Sequence, residues 1–410
     1  MPPESSRWEA LVVRFATLVE RAGYGLICGP MFEDIGVFER MGEGTDVVRK
    51  EMYDFYDKDP SNPQRLALRP EGTAGVARAF VEHRPATLPW KVWYVAPNFR
   101  YESPQAHRYR QHHQVGIEAI GSPDPDLDVE AMVLLHDLYA AVGLRQVELV
   151  INSVGTVADR RSYASELRSF LTTHKGDLDP EDQEKVDRHP MRVLDTKRAA
   201  SLAVVTAAPQ LPDHLSADAA ARFGQVKNGL TAAGVAFVVD PRLVRGLDYY
   251  THTAFEFQSQ AIGGAKSTIG GGGRYDGLIE SLGGPPTPGV GFGCGIERTL
   301  AACDAEEAFP APPNPLDAYV IDLTGGGAAR DLCTDLRRAG LSADRGFDQR
   351  SMKSQIKSAG RSTARFAVIV GPDELSEGVV TVRDLRNDAA QVSVARSDLI
   401  SYLLAATAGE

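Results

Sequence analysis

The stretch from Phe99 to Glu118 constrains the fold of this chain more than any other segment. Two short segments that can alternate as strands flank a polar loop containing Pro104, which predicts a β-hairpin with a long tip. Every second side chain of a strand faces the same side, so charged groups on both arms can meet there. Arginine forks match phosphate oxygens, and a carboxylate among them can bind an amine or an adenine N–H. A charged hairpin that simply faces solvent is the alternative. The charged residues are Arg100, Glu102, Arg108, Arg110 and Glu118.

The composition is that of a globular protein with more than one domain. Of the 410 residues, 43% are hydrophobic and 24% are charged, so we expect two or three domains. No apolar run reaches about 18 residues, and the first residues have neither a basic region nor an apolar core. We therefore expect neither a membrane span nor a secretion signal. The net charge of −11 argues against indiscriminate nucleic-acid binding but is compatible with a shaped RNA partner.

Cysteine and histidine spacing predicts neither disulfides nor a metal site. The four cysteines lie far apart without a CxxC pair, so we expect reduced, mostly buried thiols in a cytosolic protein. His107, His112 and His113 have no cysteine or acidic residue at ligand spacing, so no metal bound by protein side chains is expected. The cysteines are Cys28, Cys294, Cys303 and Cys333.

The hydrophobic pattern predicts a core in two parts, an insertion and a last domain. From Thr156 a capping-box pattern opens a helical stretch that continues to about Gly234. A Pro-rich linker then precedes an alternating strand–helix pattern typical of an α/β domain. The predicted boundaries are 1–155 for the first part of the core, 156–234 for the helical insertion, 235–308 for the second part of the core, 309–315 for the linker and 316–410 for the last domain.

Local patterns predict individual elements within these domains. Apolar residues at helical spacing and runs of strand-forming residues give the predictions. Asp179-Pro180 is typical of a helix start, with proline at the first helical position. The predicted helices cover 7–24, 74–83 and 128–142, and the predicted strands cover 64–69, 146–151, 235–239 and 249–258.

Two segments place polar side chains where chain direction changes. Leu68–Thr73 puts a carboxylate and a hydroxyl at a strand-to-helix junction, where they could hold an ammonium group or simply cap the helix. Arg242–Tyr250 offers an arginine beside a glycine and then two tyrosines, which could instead be a turn held by an Asp–Arg pair.

Two further segments are rich in glycine. Gly270–Gly277 is too glycine-dense for an ordinary strand interior, which indicates either backbone close to a ligand or a flexible surface loop. Gly289–Arg298 predicts a strand of small residues that runs into a helix starting near Ile296. Close packing of helix on strand is the default interpretation of that segment.

In this order, the segments closely resemble those of the histidyl-tRNA synthetases, which are class II aminoacyl-tRNA synthetases. Gly29–Glu33 resembles the first class motif, a dimer-interface element, Phe99–Glu102 the second and Gly293–Arg298 the third. The resemblance implies an α/β protein whose α+β catalytic core is an antiparallel sheet flanked by helices, with a helical insertion and a C-terminal α/β anticodon-binding domain. The most specific segments are Leu68–Thr73, Arg108–Glu118, Arg245–Tyr250 and Gly272–Gly277.

The resemblance also implies an activity and partners. ATP would activate L-histidine to histidyl-adenylate, and the histidyl group would pass to the 3′ end of histidine tRNA. ATP would bring Mg²⁺ held mainly by its phosphates. The enzyme would be a cytoplasmic homodimer without a membrane partner.

For ATP, the resemblance assigns the catalytic role to Arg100 and Arg245, which would hold the α-phosphate from opposite sides. Arg108 and Arg298 would hold the γ-phosphate. Arginine suits this work because it stays protonated and binds oxygens in pairs. The adenine would meet two further residues, Glu102 at its amino group and His112 on its face.

For histidine, the resemblance assigns a carboxylate and a tyrosine, Glu118 and Tyr250, to the two imidazole nitrogens. Tyr275 would close the pocket. A substrate lacking either ring nitrogen would leave buried polar groups unpaired. The full predicted histidine-binding set is Glu71, Thr73, Gln114, Glu118, Arg245, Tyr249, Tyr250 and Tyr275, of which Glu71, Thr73 and Gln114 would bind the α-amino group.

For tRNA, the resemblance assigns Gln105 and Arg110 of the hairpin and a basic helix in the last domain. That helix carries Arg350, Lys353 and Lys357, which could alternatively be a solvated helix face. The sequence departs from the family pattern at Ser103, where arginine is usual, at His107, where glycine is usual, and at His112, where phenylalanine usually stacks on adenine. The chain also begins abruptly before its first helix.

Two other classes of protein share such a core. One is a non-catalytic paralogue, such as a regulatory subunit of ATP phosphoribosyltransferase, and the other is a module that only binds RNA or protein. The four arginines assigned to ATP argue against both. Histidine-dependent pyrophosphate exchange separates the three classes.

Overall fold

The computed structural model describes residues 1–40, 47–102, 109–194, 196, 198–244, 246–247, 249–262, 268–312, 316–347, 350–387 and 390–407. The chain divides into two compact units, Met1–Ala311 and Pro312–Glu410. No helix of the described ranges is long and apolar enough to cross a membrane.

The first unit alternates strands with helices of very different length. Its strands are β1 (Gly25–Leu26), β2 (Phe32–Asp34), β3 (Asp54–Tyr56), β4 (Arg65–Leu68), β5 (Trp90–Phe99), β6 (Gln111–Ile120), β7 (Val147–Ser153), β8 (Val238–Val239), β9 (Thr251–Ser259), β10 (Thr268–Arg274) and β11 (Gly289–Gly295). Its helices are α1 (Glu4–Arg21), α2 (Ile35–Glu39), α3 (Thr73–His83), α4 (Asp126–Ala141), α5 (Val157–Thr173), α6 (Pro180–Gln183), α7 (Ala199–Thr206), α8 (Ala217–Ala232), α9 (Leu278–Ser281) and α10 (Ile296–Ala305).

The described residues of this unit form a large, mainly antiparallel sheet. Its strand order is β1-β5-β6-β11-β10-β9-β7-β8, and β2, β4 and β3 form a small separate sheet. The predicted hairpin is confirmed: β5 and β6 pair antiparallel from Trp90 opposite Ile120 to Phe99 opposite Gln111. Its tip, residues 103–108, lies outside the described residues.

The two faces of the large sheet bury two different apolar clusters. Odd-numbered residues of β6, such as Val115 and Ile117, pack in a cluster with Leu11 and Phe15 of α1. Neighbouring β5 sends its even-numbered residues, such as Tyr94, into the second cluster, which includes side chains of α3 and α5. This alternation puts the even-numbered residues of β6 on the second face. That face carries the candidate site.

The helical stretch after β7 begins as predicted. Thr156 caps α5 by accepting from the backbone N of Asp159, whose side chain accepts in return from the backbone N of Thr156. Asp179 caps α6, and Pro180 occupies its first position. Both starts are local sequence features, which explains why the sequence indicated them correctly.

The glycine run corrects one prediction. Gly270–Gly273 belongs to the buried strand β10, although the sequence appeared too rich in glycine for a strand interior. A Cβ atom at Gly272 would lie only 2.0 Å from the carbonyl oxygen of Gly291 on the next strand. The absence of side chains therefore permits close contact between strands. The strand predicted over 235–239 is also shorter, since β8 contains only two residues.

The second unit is a smaller α/β fold. Its described strands form a sheet in the order β13-β12-β14-β15-β16, in which β12 pairs parallel with β13 and β14, and β15 pairs antiparallel with β14 and β16. The strands are β12 (Ala318–Asp322), β13 (Ala343–Arg345), β14 (Phe366–Val370), β15 (Val379–Asp384) and β16 (Val392–Ala395), and the helices are α11 (Gly327–Arg338), α12 (Met352–Arg361), α13 (Pro372–Glu377) and α14 (Leu399–Thr407).

Candidate active site

A strip of small residues runs across the second face of the large sheet. On β6, Gln114, Gly116 and Glu118 follow one another on this face, and each is paired with a glycine of β11. These partners are Gly295, Gly293 and Gly291. A Cβ atom at Gly291 would lie 2.0 Å from Glu118 Oε2, so only glycine leaves room for that carboxylate. The strip therefore forms a floor of backbone on which neighbouring side chains pack, with a carboxylate at one end.

Glu118 is the buried centre of this site. Its side chain is fully buried, and it accepts hydrogen bonds from three tyrosine or threonine hydroxyls. Thr73 Oγ1 donates to Oε1 at 2.7 Å, Tyr275 Oη donates to Oε2 at 2.5 Å, and Tyr94 Oη lies 3.5 Å from Oε1. Burial raises the pKa of Glu118 to about 8, partly opposed by these hydroxyls.

Tyr94 packs closely over the floor beside Glu118. A Cβ atom at Gly116 would lie 2.4 Å from the hydroxyl oxygen of Tyr94. The ring of Tyr94 thus lies over β6, because β6 has no side chain at Gly116. No local pattern indicated Tyr94, since its position depends on the cross-strand pairing of Tyr94 with Gly116.

Glu71 caps helix α3 from inside the same pocket. Its carboxylate accepts from the backbone N of Thr73 at 2.8 Å and of Ala74 at 2.7 Å. Tyr249 Oη lies 3.4 Å from Glu71 Oε2. Burial raises the pKa of Glu71, and the positive charge of Arg100 acts in the opposite direction. The cap proposed as the alternative function of this segment is therefore present.

Three tyrosine rings pack beside Glu71 and Glu118. The ring centroids of Tyr249 and Tyr250 lie 4.6 Å apart, and those of Tyr249 and Tyr275 lie 5.9 Å apart. All three side chains are buried. The structure thus brings the predicted residues Glu71, Thr73, Glu118 and these tyrosines into one contiguous group.

A buried ion pair fixes the end of β10, directly before Tyr275. Arg274, immediately before it, is fully buried and donates to Asp128 of α4 from Nη2 at 2.6 Å and from Nε at 3.0 Å. Further bonds reach the carbonyls of Ser122 and Asp124 and the carboxylate of Asp276. The backbone at Tyr275 is therefore anchored to α4 and to the loop that precedes it.

Gln114 lies farther along the floor with a partner that the sequence did not indicate. Asn98 Nδ2 donates to Gln114 Oε1 at 2.7 Å. Asn98 is fully buried, and its Oδ1 has no hydrogen-bond partner among the described residues. Asn98 thereby orients the side chain predicted to bind the α-amino group.

Two of the predicted phosphate-binding arginines are anchored to backbone carbonyls. Arg100, just past β5, donates from Nε to the carbonyl of Pro70 at 2.8 Å. Arg298, in the first turn of α10, donates from Nη1 to the carbonyl of Thr268 at 2.9 Å. Both side chains are half-buried. These bonds fix each guanidinium without neutralising its charge.

Glu297 links the start of α10 to β6. Its carboxylate accepts from the backbone N of His113 at 3.0 Å and lies 2.7 Å from His113 Nδ1. Because Glu297 directly precedes Arg298, this contact holds the arginine beside the hairpin. The two residues are 184 positions apart, so no local pattern indicated the pair.

Other predicted residues lie at the ends of the hairpin strands and in the second unit. Glu102 and His112 are half-buried at the ends of β5 and β6, and the guanidinium of Arg110 lies over the ring of Tyr101 at 4.1 Å. In the second unit, Arg350 precedes α12, and Lys353 and Lys357 are exposed on it. The predictions at Ser103, Gln105, His107, Arg108 and Arg245 lie outside the described residues.

The described residues contain no obvious metal site and no disulfide. No group of three or more His, Cys, Asp or Glu side chains within them could hold a metal ion. Cys294, Cys303 and Cys333 are buried free thiols, and Cys28 is an exposed one.

Comparison with known proteins identifies the family. The family model described as histidyl-tRNA synthetase matches residues 1–299, and the model of an anticodon-binding domain matches residues 317–406. A histidine–tRNA ligase of Thermosynechococcus vestitus is 43% identical over 98% of this chain and 93% of its own length. One from Rubrobacter xylanophilus is 45% identical over 93% of this chain and 89% of its own length.

A solved structure agrees with these relatives. The crystal structure of S. aureus histidyl-tRNA synthetase matches with a TM-score of 0.82 at 33% identity, covering 98% of this chain and 97% of that one. The predicted fold class, a helix-flanked sheet with a C-terminal α/β anticodon-binding domain, is confirmed. The chain therefore belongs to the histidyl-tRNA synthetase family, class II ligases that activate histidine with ATP and load it onto tRNA.

Proposed function

We propose that the Glu118 pocket selects L-histidine and that the neighbouring arginines activate it with ATP for transfer to histidine tRNA. The observation that carries the proposal is the buried carboxylate of Glu118, surrounded by neutral hydroxyls at the end of a glycine floor. A buried carboxylate that only neutral hydroxyls contact is costly to keep ionised, so its natural complement is a ligand N–H. An imidazole ring supplies that donor on a flat ring that fits the floor.

Histidine recognition divides between its two ends. Glu118 accepts from one ring N–H, and Tyr250 pairs with the second ring nitrogen, while Tyr275 closes the pocket. Glu71, Thr73 and Gln114 bind the α-ammonium group, and Tyr249, next to Glu71, completes this end. Each ring nitrogen left without its partner costs about 1–3 kcal/mol, which favours histidine over other amino acids.

Activation requires stabilised phosphate charge more than it requires an acid or a base. The histidine carboxylate attacks the α-phosphate, and pyrophosphate leaves. Arg100 and Arg245 hold the α-phosphate, and Arg108 and Arg298 hold the γ-phosphate. Attachment of Arg100 and Arg298 to carbonyls supports these roles, because preorganised guanidinium groups need no rearrangement as charge develops.

The rest of the nucleotide is held at the hairpin. Glu102 accepts from the adenine amino group, and His112 stacks on the adenine in place of the usual phenylalanine. Mg²⁺ would arrive with ATP, because this ion prefers phosphate oxygens and water to a cage of protein ligands. Bound there, it would neutralise phosphate charge.

The second step and the assembly complete the proposal. Gln105 and Arg110 contact the acceptor end of the tRNA, and Arg350, Lys353 and Lys357 contact its anticodon arm. We further propose a cytoplasmic homodimer formed through Gly29–Glu33. The chain would be divided into a core over 1–155 and 235–308, an insertion over 156–234, a linker over 309–315 and a last domain over 316–410.

Pyrophosphate exchange tests the proposal directly. Purified protein should exchange labelled pyrophosphate into ATP when histidine is added, and not when any other amino acid replaces it. Aminoacylation of purified histidine tRNA should follow. No exchange at all would instead support a non-catalytic paralogue or a binding module, and exchange that does not depend on the amino acid would contradict selection of histidine.

A further inference from the structure

The second unit exposes an aromatic ring at the edge of its sheet. Because β12 and β13 are parallel, their carboxyl ends lie at the same edge. Phe347 follows β13 by two residues and is 57% exposed. Leu323, directly after β12, and Met352, the first residue of α12, are also exposed. In open α/β sheets, ligands bind at the carboxyl ends of strands.

One buried amide organises the backbone around this ring. Gln355 Nε2 donates to the carbonyl of Asp322 at 2.9 Å and to that of Arg350 at 2.7 Å, and its Oε1 accepts from the backbone N of Asp322. A Cβ atom at Gly346 would lie 2.8 Å from the same Oε1. Three segments thus meet around the side chain of Gln355: the residue before Phe347, the end of β12 and the start of α12.

A cation lies on one face of the ring. The guanidinium carbon of Arg345 is 4.5 Å from the centroid of Phe347, and Arg345 Nη1 donates to the carbonyl of Gly326 at 3.2 Å. The arginine therefore has a defined position between a carbonyl and the ring. A π face backed by a cation is well suited to stacking against a second flat group.

The helix that begins beside this edge of the sheet carries basic residues. Lys353 and Lys357 are exposed and lie one helical turn apart on the same side of α12, and Arg350 precedes them. Proteins that bind single-stranded nucleic acid combine exposed aromatic rings with positive charge that follows the backbone. This combination of ring and charge favours an unpaired nucleotide over an apolar peptide.

We propose that Phe347 is a stacking platform for one unpaired base of the tRNA anticodon loop, with Arg345 backing the ring. The proposal rests on the proposed function, which brings a tRNA to this domain. The platform would contact the face of a base. The basic residues of the proposed function, Arg350, Lys353 and Lys357, would instead contact the anticodon arm through their positive charge.

Aminoacylation kinetics test the platform. Phe347→Ala and Phe347→Leu should raise the KM for histidine tRNA about tenfold, because both remove the π face. Phe347→Trp keeps a ring and should stay close to the wild type. Tyr402 of α14 offers a matched control, since it is also an exposed aromatic residue of this unit, and Tyr402→Ala should change nothing. Histidine-dependent pyrophosphate exchange without tRNA should be unchanged in all four variants.

A fluorescent RNA reports stacking itself. An anticodon stem-loop with 2-aminopurine at an unpaired position should be quenched on binding the wild type and Phe347→Trp, but not Phe347→Ala. Wild-type behaviour of Phe347→Leu would show apolar packing instead of stacking and would overturn the proposal. An unchanged KM for tRNA in Phe347→Ala, the result expected if this edge binds a protein, would also overturn it. An equal rise in that KM in Tyr402→Ala would do the same.

The two proposals can fail separately. If Lys353→Ala combined with Lys357→Ala weakens tRNA binding in a salt-dependent way while Phe347→Ala does not, the charge contacts stand and the platform is wrong. If the wild-type protein shows no histidine-dependent exchange, the proposed function itself is wrong.

Discussion

Glu118 and Arg100 belong to the same candidate site, yet the two environments affect the charged form of each side chain differently. Glu118 is fully buried and surrounded by hydroxyls, so its ionised form is disfavoured until a ligand donor arrives. Arg100 is half-buried and held by one carbonyl. The first environment suits recognition of a specific ring, because an unpaired buried group is costly. The second suits phosphate, whose charge any fixed guanidinium can stabilise.

Loss of the fixed guanidinium should have the largest effect. Arg100→Ala should lower the kcat of histidine-dependent pyrophosphate exchange about 100-fold, as removal of other preorganised charge stabilisers does. The KM for histidine should change much less, because Glu118 remains in place. Arg65→Ala is a suitable control, since Arg65 is exposed on β4 and pairs with Asp54. A large rise in histidine KM with kcat unchanged would contradict the division of roles.

Crowding the carboxylate should have the next largest effect. Gly291→Ala places a methyl group on Glu118 Oε2 and should cost about 1–3 kcal/mol of folding stability, with a comparable loss in kcat/KM for histidine. Gly176→Ala, where an added Cβ meets nothing within 4 Å, is the matched control. Thermal melting measures the loss of folding stability, and exchange kinetics measure the loss of kcat/KM for histidine. An unaffected histidine KM would mean that Glu118 does not bind the ring.

The pH dependence of kcat/KM for histidine should reveal the raised pKa of Glu118. Below about pH 8 the free enzyme carries this carboxyl protonated, so it lacks the negative charge that strengthens its hydrogen bond from the ring N–H. As pH rises through 8 the carboxylate forms, and kcat/KM should increase about tenfold per unit below the midpoint. Glu118→Gln should remove this limb of the profile. A wild-type profile that is flat between pH 7 and 9 would contradict the assignment.

The smallest effect should come from replacing His112, the residue proposed to stack on adenine. His112→Phe places on the adenine the ring that is usual at this position, and it should lower the KM for ATP by a factor of about 3. Measurement of ATP KM in the two proteins is sufficient. Identical values throughout would remove His112 from the adenine site.

The sequence predicted most of what is local and little of what depends on distant contacts. The hairpin, the Thr156 cap and the start of α10 near Ile296 follow from neighbouring residues, and all are present. Tyr94 and Asn98 escaped notice because their importance comes from residues on the facing strand.

The remaining discrepancies have the same cause. The pair of Glu297 with His113 connects elements that only the folded sheet brings together. The misjudged strand at Gly270–Gly273 shows tertiary packing overriding composition, because neighbouring strands fill the volume that side chains would take. For Glu71, the structure shows the helix cap, and the same carboxylate lies beside Tyr249.

The buried pair of Arg274 and Asp128 has a practical consequence for redesigning amino-acid specificity. Residues on either side of Tyr275 could be altered to admit a larger substrate, yet Arg274 is tied to α4 and to the loop before it. Breaking such a pair from one side costs about 3–5 kcal/mol. Libraries aimed at new substrates should therefore vary Tyr275 itself and keep its neighbour Arg274, because Asp128 also pairs with Arg222.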